Sequence, residues 1–461
     1  MPLGSGLNAA DAPSMIPPPA SEKPAVPTSG PEFPSFGEAV GFWWKLGCIS
    51  FGGPAGQIAI MHRELVDRRR WIREPHFLHA LNFCMLLPGP EAQQLATYLG
   101  WRLHGIRGGL AAGGLFVFPS MLLLLGLSWL YLEWGEVFWV RGLFHGLTAA
   151  VIAIVSGAVI RMGRRTLKSP ALWGLALGAF LAIGVFHLPF VGIIAGAALS
   201  GWLGARFWPS QFPSGDRHDD VLGGSAASVV LPPTPAASWG RTGRLLVVGL
   251  TLWWLPVLLA GLWLGWESTV FQQGVFFSKA ALVTFGGAYA VLPYVAQQAV
   301  EHHGWLTQTQ MMAGLGLAET TPGPLIMVLQ FVGFVGAWQH PGTLPPALAG
   351  VLGGLLTTWV TFLPCFLFVF LGGPHVESLQ ARPGVSAALR GITAAVVGVI
   401  LNLAVWFTWA ALRPASGGWD LMVIGLALAA LVALERFKIG VIPVIGGCAV
   451  VGLLGRLAGL S

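Results

Sequence analysis

Long apolar runs dominate this chain and decide what it can fold into. Thirteen such segments, most of about twenty to thirty residues, follow one another with few charges between them. Only 10% of the residues are charged, whereas a soluble domain carries about 25%, so the chain lacks the polar surface that water requires. About twenty apolar residues span a bilayer as a helix, and the runs lack the alternation of barrel strands. The sequence predicts an all-α polytopic membrane protein.

The apolar segments form two sets of six that repeat the same motifs. FGG occurs at 51–53 and 285–287, and PGP at 88–90 and 322–324, both pairs at a shift of 234. Later matches continue at shifts of 245 and 251, as a duplicated unit with small insertions would show. One extra segment, at about 243–266, separates the sets and reverses the direction of the second. The sequence therefore predicts two inverted repeats, a plan typical of secondary transporters.

These patterns divide the chain into five regions. Residues 1–35 are rich in Pro, Ser, Ala and Gly and are predicted to form a disordered cytoplasmic tail. The N-terminal transporter repeat covers 36–206, and a polar cytoplasmic linker covers 207–242. A connecting transmembrane helix follows at 243–266, and the inverted C-terminal repeat covers 267–461.

The loop charges place the amino terminus in the cytoplasm. The basic loops at 161–168 (RMGRRTLK) and 435–438 (ERFK) then lie inside, and the acidic loop at 133–136 (EWGE) lies outside. The loop at 63–73 carries five arginines and would lie outside if the first segment simply crossed. Glycine and proline break this segment and the next, and broken backbone is tolerated at membrane depth when it is buried or lines a cavity. We hypothesise that the first two segments of each half are re-entrant hairpins.

Two lysines occupy matching places inside apolar segments. Lys45 and Lys279 each lie six residues before an FGG motif. A charged side chain at membrane depth is costly and usually faces a cavity or a partner, which would let both lysines attract an anionic substrate. The alternative is that each lysine extends along its aliphatic stem to a membrane interface. Their symmetric placement favours the substrate-binding role.

The glycine and proline breaks could themselves bind an anion. Proline favours the first turn of a helix, where free N–H groups and the helix dipole attract negative charge, and glycine lets the backbone approach a ligand. Close helix packing is the alternative. Gln and Thr beside the PGP motifs could donate hydrogen bonds to an oxyanion. The predicted substrate-binding residues are Lys45, Phe51, Gly52, Gly53, Pro54, Gln57, Pro88, Gly89, Pro90, Gln93, Gln94, Lys279, Gly286, Gly287, Thr320, Thr321, Pro322, Gly323 and Pro324.

Two glutamates adjoin the PGP motifs, Glu91 after the first and Glu319 before the second. An ionised carboxylate repels an anion, so a different role is expected. Each could carry a coupling proton, pair with a lysine, or cap a half-helix. The sequence EAQQ at 91–94 aligns with LIMV at 325–328. We therefore expect an asymmetric site to which the first half supplies more ligands.

Other kinds of chemistry find no support in the motifs. The four cysteines are isolated in apolar runs, without metal-ligand or disulfide spacing. No P-loop, HExxH, GxSxG or Rossmann fingerprint stands in a fitting context. The sequence predicts no metal, no cofactor, no enzymatic reaction and no nucleic-acid partner. The lipid bilayer is the expected surrounding, and a homodimer is left open.

Three stretches resemble the chromate ion transporter family, in its two-domain, long-chain form: FGGPAGQIAIMH (51–62), LLPGPEAQQLATYLGW (86–101) and TFGGAYAVLPYV (284–295). The resemblance covers roughly residues 36–461. It implies a multi-pass protein of the bacterial inner membrane that exports chromate from the cytoplasm and confers chromate resistance. A transporter of sulfate or another tetrahedral oxyanion is the alternative. A membrane-bound chromate-reducing enzyme is an alternative of another class, and it would need a redox cofactor or paired thiols.

Overall fold

Helices make up almost all of the structure. The computed structural model describes residues 33–212, 238–375, 383–412 and 420–459. In the first range lie α1 Phe36–Ile49, α2 Gly53–His62, α3 Glu74–Cys84, α4 Glu91–Trp134, α5 Phe138–Thr166, α6 Pro170–Gly184 and α7 Phe190–Phe207. The other three ranges hold α8 Trp239–Leu264, α9 Thr269–Val283, α10 Ala288–Ala296, α11 Gln308–Thr320, α12 Val328–Gln339, α13 Pro346–Gly372, α14 Pro383–Leu412, α15 Leu421–Glu435 and α16 Val441–Leu457.

Six of the described helices are long and apolar enough to cross a membrane: α4, α5, α7, α8, α13 and α14. This confirms the predicted class, an all-α polytopic membrane protein. Most of the predicted tail, residues 1–32, and most of the predicted linker, residues 213–237, lie outside the described residues.

The first two apolar segments are broken, as predicted, but the boundaries differ. The second apolar segment of the sequence, predicted at about 77–101, is divided between α3 and α4, which leaves residues 85–90 between the two helices. The third, predicted at about 107–132, is not separate from it, because α4 runs through both. A local interruption marks the expected boundary, where Gly105 has a φ of 62°. Only glycine adopts such a φ readily, so the chain turns at Gly105 and then resumes the helix.

Proline enters the first turn of a helix at only one of the predicted breaks. Pro54 lies in the first turn of α2. Pro90 instead precedes α4 as its N-cap residue, and Pro324 precedes a 3₁₀ turn at Leu325–Met327 that leads into α12. A helix or helical turn thus begins directly after each PGP motif, as predicted, but its proline is the N-cap residue and not part of the first turn.

Several local features recur at the shift of 234 residues. A π-helical turn follows α2 at Arg63–Arg68 and follows α10 at Gln297–His302. Ser50 ends α1 with φ −80° and ψ 75°, and Thr284 ends α9 with φ −79° and ψ 73°. These paired details support the predicted duplication. The opposite orientation of the two halves in the membrane stays a prediction.

The two halves exchange one helix each. Helix α5 packs against α15 and α16 of the second half, and α14 packs against α6 and α7 of the first. Small residues allow the close approach: a Cβ atom on Gly146 would overlap the carbonyl oxygen of Cys448, and one on Gly391 would overlap that of Ala197. Such small-residue contacts are typical of helix pairs in membranes. This exchange brings the breaks of the two halves together.

Candidate functional site at the crossed breaks

The backbone of each PGP motif is bonded to the other half of the chain. The Gly89 N–H donates to the carbonyl oxygen of Thr284 at 2.7 Å, and the Gly323 N–H donates to that of Ser50 at 2.7 Å. Ser50 and Thr284 are the residues directly before the two FGG motifs. The two bonds are equivalent under the shift of 234. The four breaks therefore form one crossed assembly.

Both PGP glycines are tightly enclosed. Gly89 has a φ of 130° and Gly323 a φ of 102°, values that favour glycine. A Cβ atom would lie 2.6 Å from Cys365 Sγ at Gly89 and 2.6 Å from Ser120 Cβ at Gly323. The flanking Pro90, Pro322 and Pro324 are buried, and Pro88 is half-buried. Close packing, the alternative raised from the sequence, fits these motifs.

The three predicted glutamine ligands brace the breaks in this structure. Gln57 Nε2 donates to the carbonyl oxygens of Gly323 at 2.5 Å and Ser50 at 3.2 Å. Gln94 Nε2 donates to the carbonyl oxygen of Pro88 at 2.7 Å, and Gln93 Nε2 lies 3.0 Å from Thr97 Oγ1. All three side chains are buried. The bonds of Gln57 and Gln94 to backbone oxygens hold the loops in shape.

The two predicted threonine ligands also have internal partners. Thr320 Oγ1 donates to the carbonyl oxygen of Leu317 at 2.7 Å, and Thr321 Oγ1 donates to that of Ala318 at 3.0 Å. A hydroxyl has a single proton to donate. Each hydroxyl would therefore have to rotate before it could donate to an anion.

The first FGG break has free space around its glycines. Gly52 and Gly53 have φ values of 88° and 71°, and their Cβ positions have no heavy atom within 4 Å. Gly52 is exposed, while Phe51 and Pro54 are half-buried. The N-terminal turn of α2 starts here, and such turns present free N–H groups and a positive dipole end. The Cβ positions of Gly52 and Gly53 therefore face open space at the start of α2.

The second FGG break is enclosed and carries carboxylates. Gly286 and Gly287 have φ values of 82° and 90°. The Oε1 atom of Glu91 lies 3.8 Å from the Cβ position of Gly287. Two residues further on, the hydroxyl of Tyr289 donates to Oε1 of the buried Glu319. The structure thus brings both predicted glutamates, one from each half, to the same break.

Two arginines at the end of α5 complete this second break. Arg161 is close enough to act electrostatically on Glu319, and Arg165 acts likewise on Glu91. Arg161 also forms an ion pair with Glu435 at 2.7 Å. Opposite charges of this kind offset part of the cost of a carboxylate in a poorly hydrated place. The basic residues at the end of α5 therefore act electrostatically on both glutamates.

Sequence reasoning missed the side chains that surround the carboxylates. Tyr289 is one of only four tyrosines and lies two residues after the second FGG, which is a signal that could have found it. Arg161 and Arg165 were interpreted only as loop charges. Ser50 and Thr284 also went unnoticed, although a hydroxyl residue precedes each FGG motif.

Both predicted lysines are exposed. Lys45 lies on an exposed face of α1, and Lys279 borders a surface cleft that also contacts His302 and His303. These positions of α1 and α9 face outward, so neither lysine is buried; Lys279 faces a cleft, and a substrate-binding role for the two lysines stays a prediction. For Lys45 the exposure fits the interface alternative.

The chain is similar to known transporters over almost all of its length. The family model described as "Chromate transporter" matches residues 37–202 and 271–453. A chromate transport protein of Cupriavidus metallidurans is 29% identical over 421 residues, which cover 90% of this chain and 92% of that protein.

A chromate transport protein of Pseudomonas aeruginosa is 34% identical over 361 residues, which cover 77% of each chain. No solved structure matches the chain. The family model covers both sets of helices and includes every predicted site residue. This chain belongs to the chromate transporter family.

Proposed function

We propose that this chain exports chromate from the cytoplasm as a secondary transporter and thereby confers chromate resistance. Membership of the chromate transporter family supports the substrate class. The crossed pair of backbone bonds, Gly89 to Thr284 and Gly323 to Ser50, is the observation that carries the proposal. It joins broken helices from two duplicated halves at one place, which is where transporters of this plan bind their substrates.

In this proposal the two FGG breaks bind different species, the oxyanion at one and a proton at the other. The oxyanion binds at the first break, where Gly52 and Gly53 face open space at the start of α2. Glu91 and Glu319 at the second break carry a coupling proton. A poorly hydrated site disfavours the charged form of a carboxyl group, so these groups can hold a proton that a solvated carboxylate would release. Gln57 and Gln94 hold the loops and reach the substrate only after the loops rearrange.

The membrane potential favours export over uptake. Moving one charge across 100 mV is worth about 2.3 kcal/mol, so a dianion leaving a negative-inside cell gains about 4.6 kcal/mol. That corresponds to a concentration ratio on the order of a thousand. Export therefore needs no ATP, whereas uptake of the same dianion needs coupled cations or protons.

Flux measurements in reconstituted liposomes test the proposal. Chromate, sulfate and molybdate are compared in both directions, with and without a pH gradient. We expect potential-driven chromate efflux that exceeds sulfate flux. A preference for sulfate uptake would favour the alternative oxyanion transporter, and recovery of chromium as Cr(III) inside the vesicles would favour the reducing enzyme.

We also propose that the protein lies in a bacterial inner membrane with a cytoplasmic amino terminus and re-entrant first segments. The short length of α1 and α2 supports this, since neither helix alone is long enough to span a bilayer. Single cysteines at Arg68 and Arg70 test it in sealed cells. Labelling by an impermeant reagent from outside would contradict the re-entrant arrangement, and labelling only after lysis is expected.

A further inference from the structure

A polar cleft lies on the second half, away from the crossed breaks. It has a volume of about 330 Å³ and lies between α9, α10 and the π-helical turn after α10. Its polar lining consists of Gln272, Lys279, Tyr294, Gln298, His302 and His303. Three of these six side chains are cationic or become cationic on protonation.

The matching place in the first half is closed by ion pairs. Arg68 pairs with Glu64 at 2.7 Å. Arg69 lies 3.6 Å from Glu38 and 4.0 Å from the other oxygen of Glu64. The shift of 234 relates Glu38 and Glu64 to Gln272 and Gln298, and it relates Arg68 and Arg69 to His302 and His303. The second half has thus replaced both carboxylates with neutral amides.

The aromatic support of the basic residue is the same in both halves. The Arg69 guanidinium lies 5.1 Å from the ring of Phe42 and 4.7 Å from that of Trp71. His303 stacks on Trp305 at 4.3 Å with an interplanar angle of 9° and lies 6.0 Å from Phe276. Phe276 and Trp305 are the counterparts of Phe42 and Trp71. The basic residue is therefore positioned alike in both halves, but among the described residues only the one in the first half forms an ion pair with a carboxylate.

We propose that the cleft of the second half binds a tetrahedral oxyanion of the sulfate or phosphate class in place of the two lost carboxylates. The ring N–H groups of His302 and His303, the Lys279 ammonium and the amides of Gln272 and Gln298 supply donors on several sides. Such donors match an anion with four oxygen atoms. The same chemistry fits a free oxyanion and the phosphate of a lipid headgroup.

Binding at this site depends on pH. Burial and the neighbouring His302 lower the pKa of His303 below its usual value. The other ionisable groups around the two histidines are Lys279 on α9, Tyr294 on α10 and Glu301 in the π-helical turn. Since an anion binds best when His303 is protonated, and its lowered pKa moves that protonation to lower pH, binding strengthens as the pH falls and weakens as it rises.

Histidine modification measures this binding independently of transport. The full chain in phosphate-free detergent is treated with diethyl pyrocarbonate, and each modified histidine is identified by peptide mass spectrometry. We expect sodium sulfate, but not sodium chloride at equal ionic strength, to protect His302 and His303. Exposed His187, which lies outside this cleft, serves as the unprotected control.

A pair of matched variants decides the proposal. Gln298→Glu restores the carboxylate of the first half, and we expect it to weaken sulfate protection about tenfold. Glu64→Gln makes the opposite change in the first half and should leave protection of His302 and His303 unchanged. Absence of protection in the wild type, in detergent and in nanodiscs of anionic phospholipid alike, would overturn the proposal, as would equal protection in Gln298→Glu.

The source of the oxyanion follows from the same experiment. Protection in anionic nanodiscs without sulfate identifies a lipid phosphate as the ligand, whereas protection only on addition of sulfate identifies a free oxyanion. Both results support the site. Because the readout does not involve flux, a protein that fails to transport chromate can still pass this test, and the two proposals fail separately.

Discussion

The two FGG breaks share their backbone but not their surroundings. Ser50 and Thr284 end their helices with dihedral angles within 2° of each other, and each accepts one N–H bond from the opposite PGP motif. The first break is open around Gly52, while the second is enclosed by Glu91 and Glu319. Duplication has kept the geometry and changed the side chains.

This difference arises from single positions. The counterparts of Glu319, Tyr289 and Glu91 in the other half are Met85, Ala55 and Leu325. Glu91 and Glu319 therefore gather at the second break only, and neither has a carboxylate at the equivalent position of the first break. Under the proposed function, the anion and the coupling proton would bind at different breaks of one molecule.

Gly323→Ala should have the largest effect on this shared geometry. The new Cβ would lie 2.6 Å from Ser120 Cβ at a φ of 102°, so both packing and backbone are strained, at a cost of several kcal/mol. We expect loss of monodisperse protein in size-exclusion chromatography. Gly52→Ala is the control, because its Cβ would enter open space at a φ of 88° and costs only about 1–2 kcal/mol.

If the two alanine variants lowered the melting temperature equally, close packing at the PGP motif would not be the reason for its glycine. That result would mean that the backbone conformation alone requires glycine at both positions. The crossed assembly would then be less tightly packed than the structure indicates.

Glu319→Gln should have the next largest effect and should act on only one break. It keeps the shape of the side chain and the contact with Tyr289 but removes the titratable group. We expect chromate flux in liposomes to fall about tenfold or more, the scale of a lost charged interaction, and the response to a pH gradient to disappear. Met85→Gln, at the matching position of the first half, is the control and should retain the response.

A wild-type response to the pH gradient in Glu319→Gln would remove this carboxylate from proton coupling. Glu91→Gln then separates the two glutamates, since both lie at the same break while the Tyr289 hydroxyl donates to Glu319. Loss of the response in Glu91→Gln alone would assign the proton to Glu91.

Gln57→Leu should have an intermediate effect, and it should lower the stability of the protein more than its transport activity. It removes the donor to the carbonyl oxygen of Gly323, whereas that of Ser50 still accepts from the Gly323 N–H, and leaving one buried acceptor unpaired costs about 1–3 kcal/mol. We expect a lower thermal midpoint. Val291→Leu, at the matching position of the second half, is the control and should shift the midpoint less. Equal shifts would mean that the bond of Gln57 adds nothing to ordinary core packing.

The fold class and the positions of the breaks could be predicted from the sequence, because apolar length and the FGG and PGP motifs are local signals. The partners of the breaks could not be predicted. The bond from Gly323 to Ser50 joins residues far apart in the chain, and the exchange of α5 and α14 decides which ones meet. The sequence indicates Glu91 and Glu319 separately. That the two lie at the same break follows only from the exchange of helices between the halves.

The lysines show the opposite limit of sequence reasoning. The symmetric placement of Lys45 and Lys279 favours a substrate-binding role, but repetition alone does not reveal which face of a helix is turned inward. Each lies on the exposed side of a helix whose other side packs into the core. Long side chains at such positions can extend to polar surroundings at little cost.

Lys45→Ala should therefore have the smallest effect, a change in chromate flux of less than about twofold, because an exposed charge contributes little to a distant site. Lys279→Ala is the comparison variant at the matching position. It borders the cleft of His302 and His303, so it should reduce sulfate protection of these histidines while Lys45→Ala leaves it unchanged. Flux abolished by Lys45→Ala, in protein that still reaches the membrane, would return this lysine to the substrate path and would mean that α1 turns during the transport cycle.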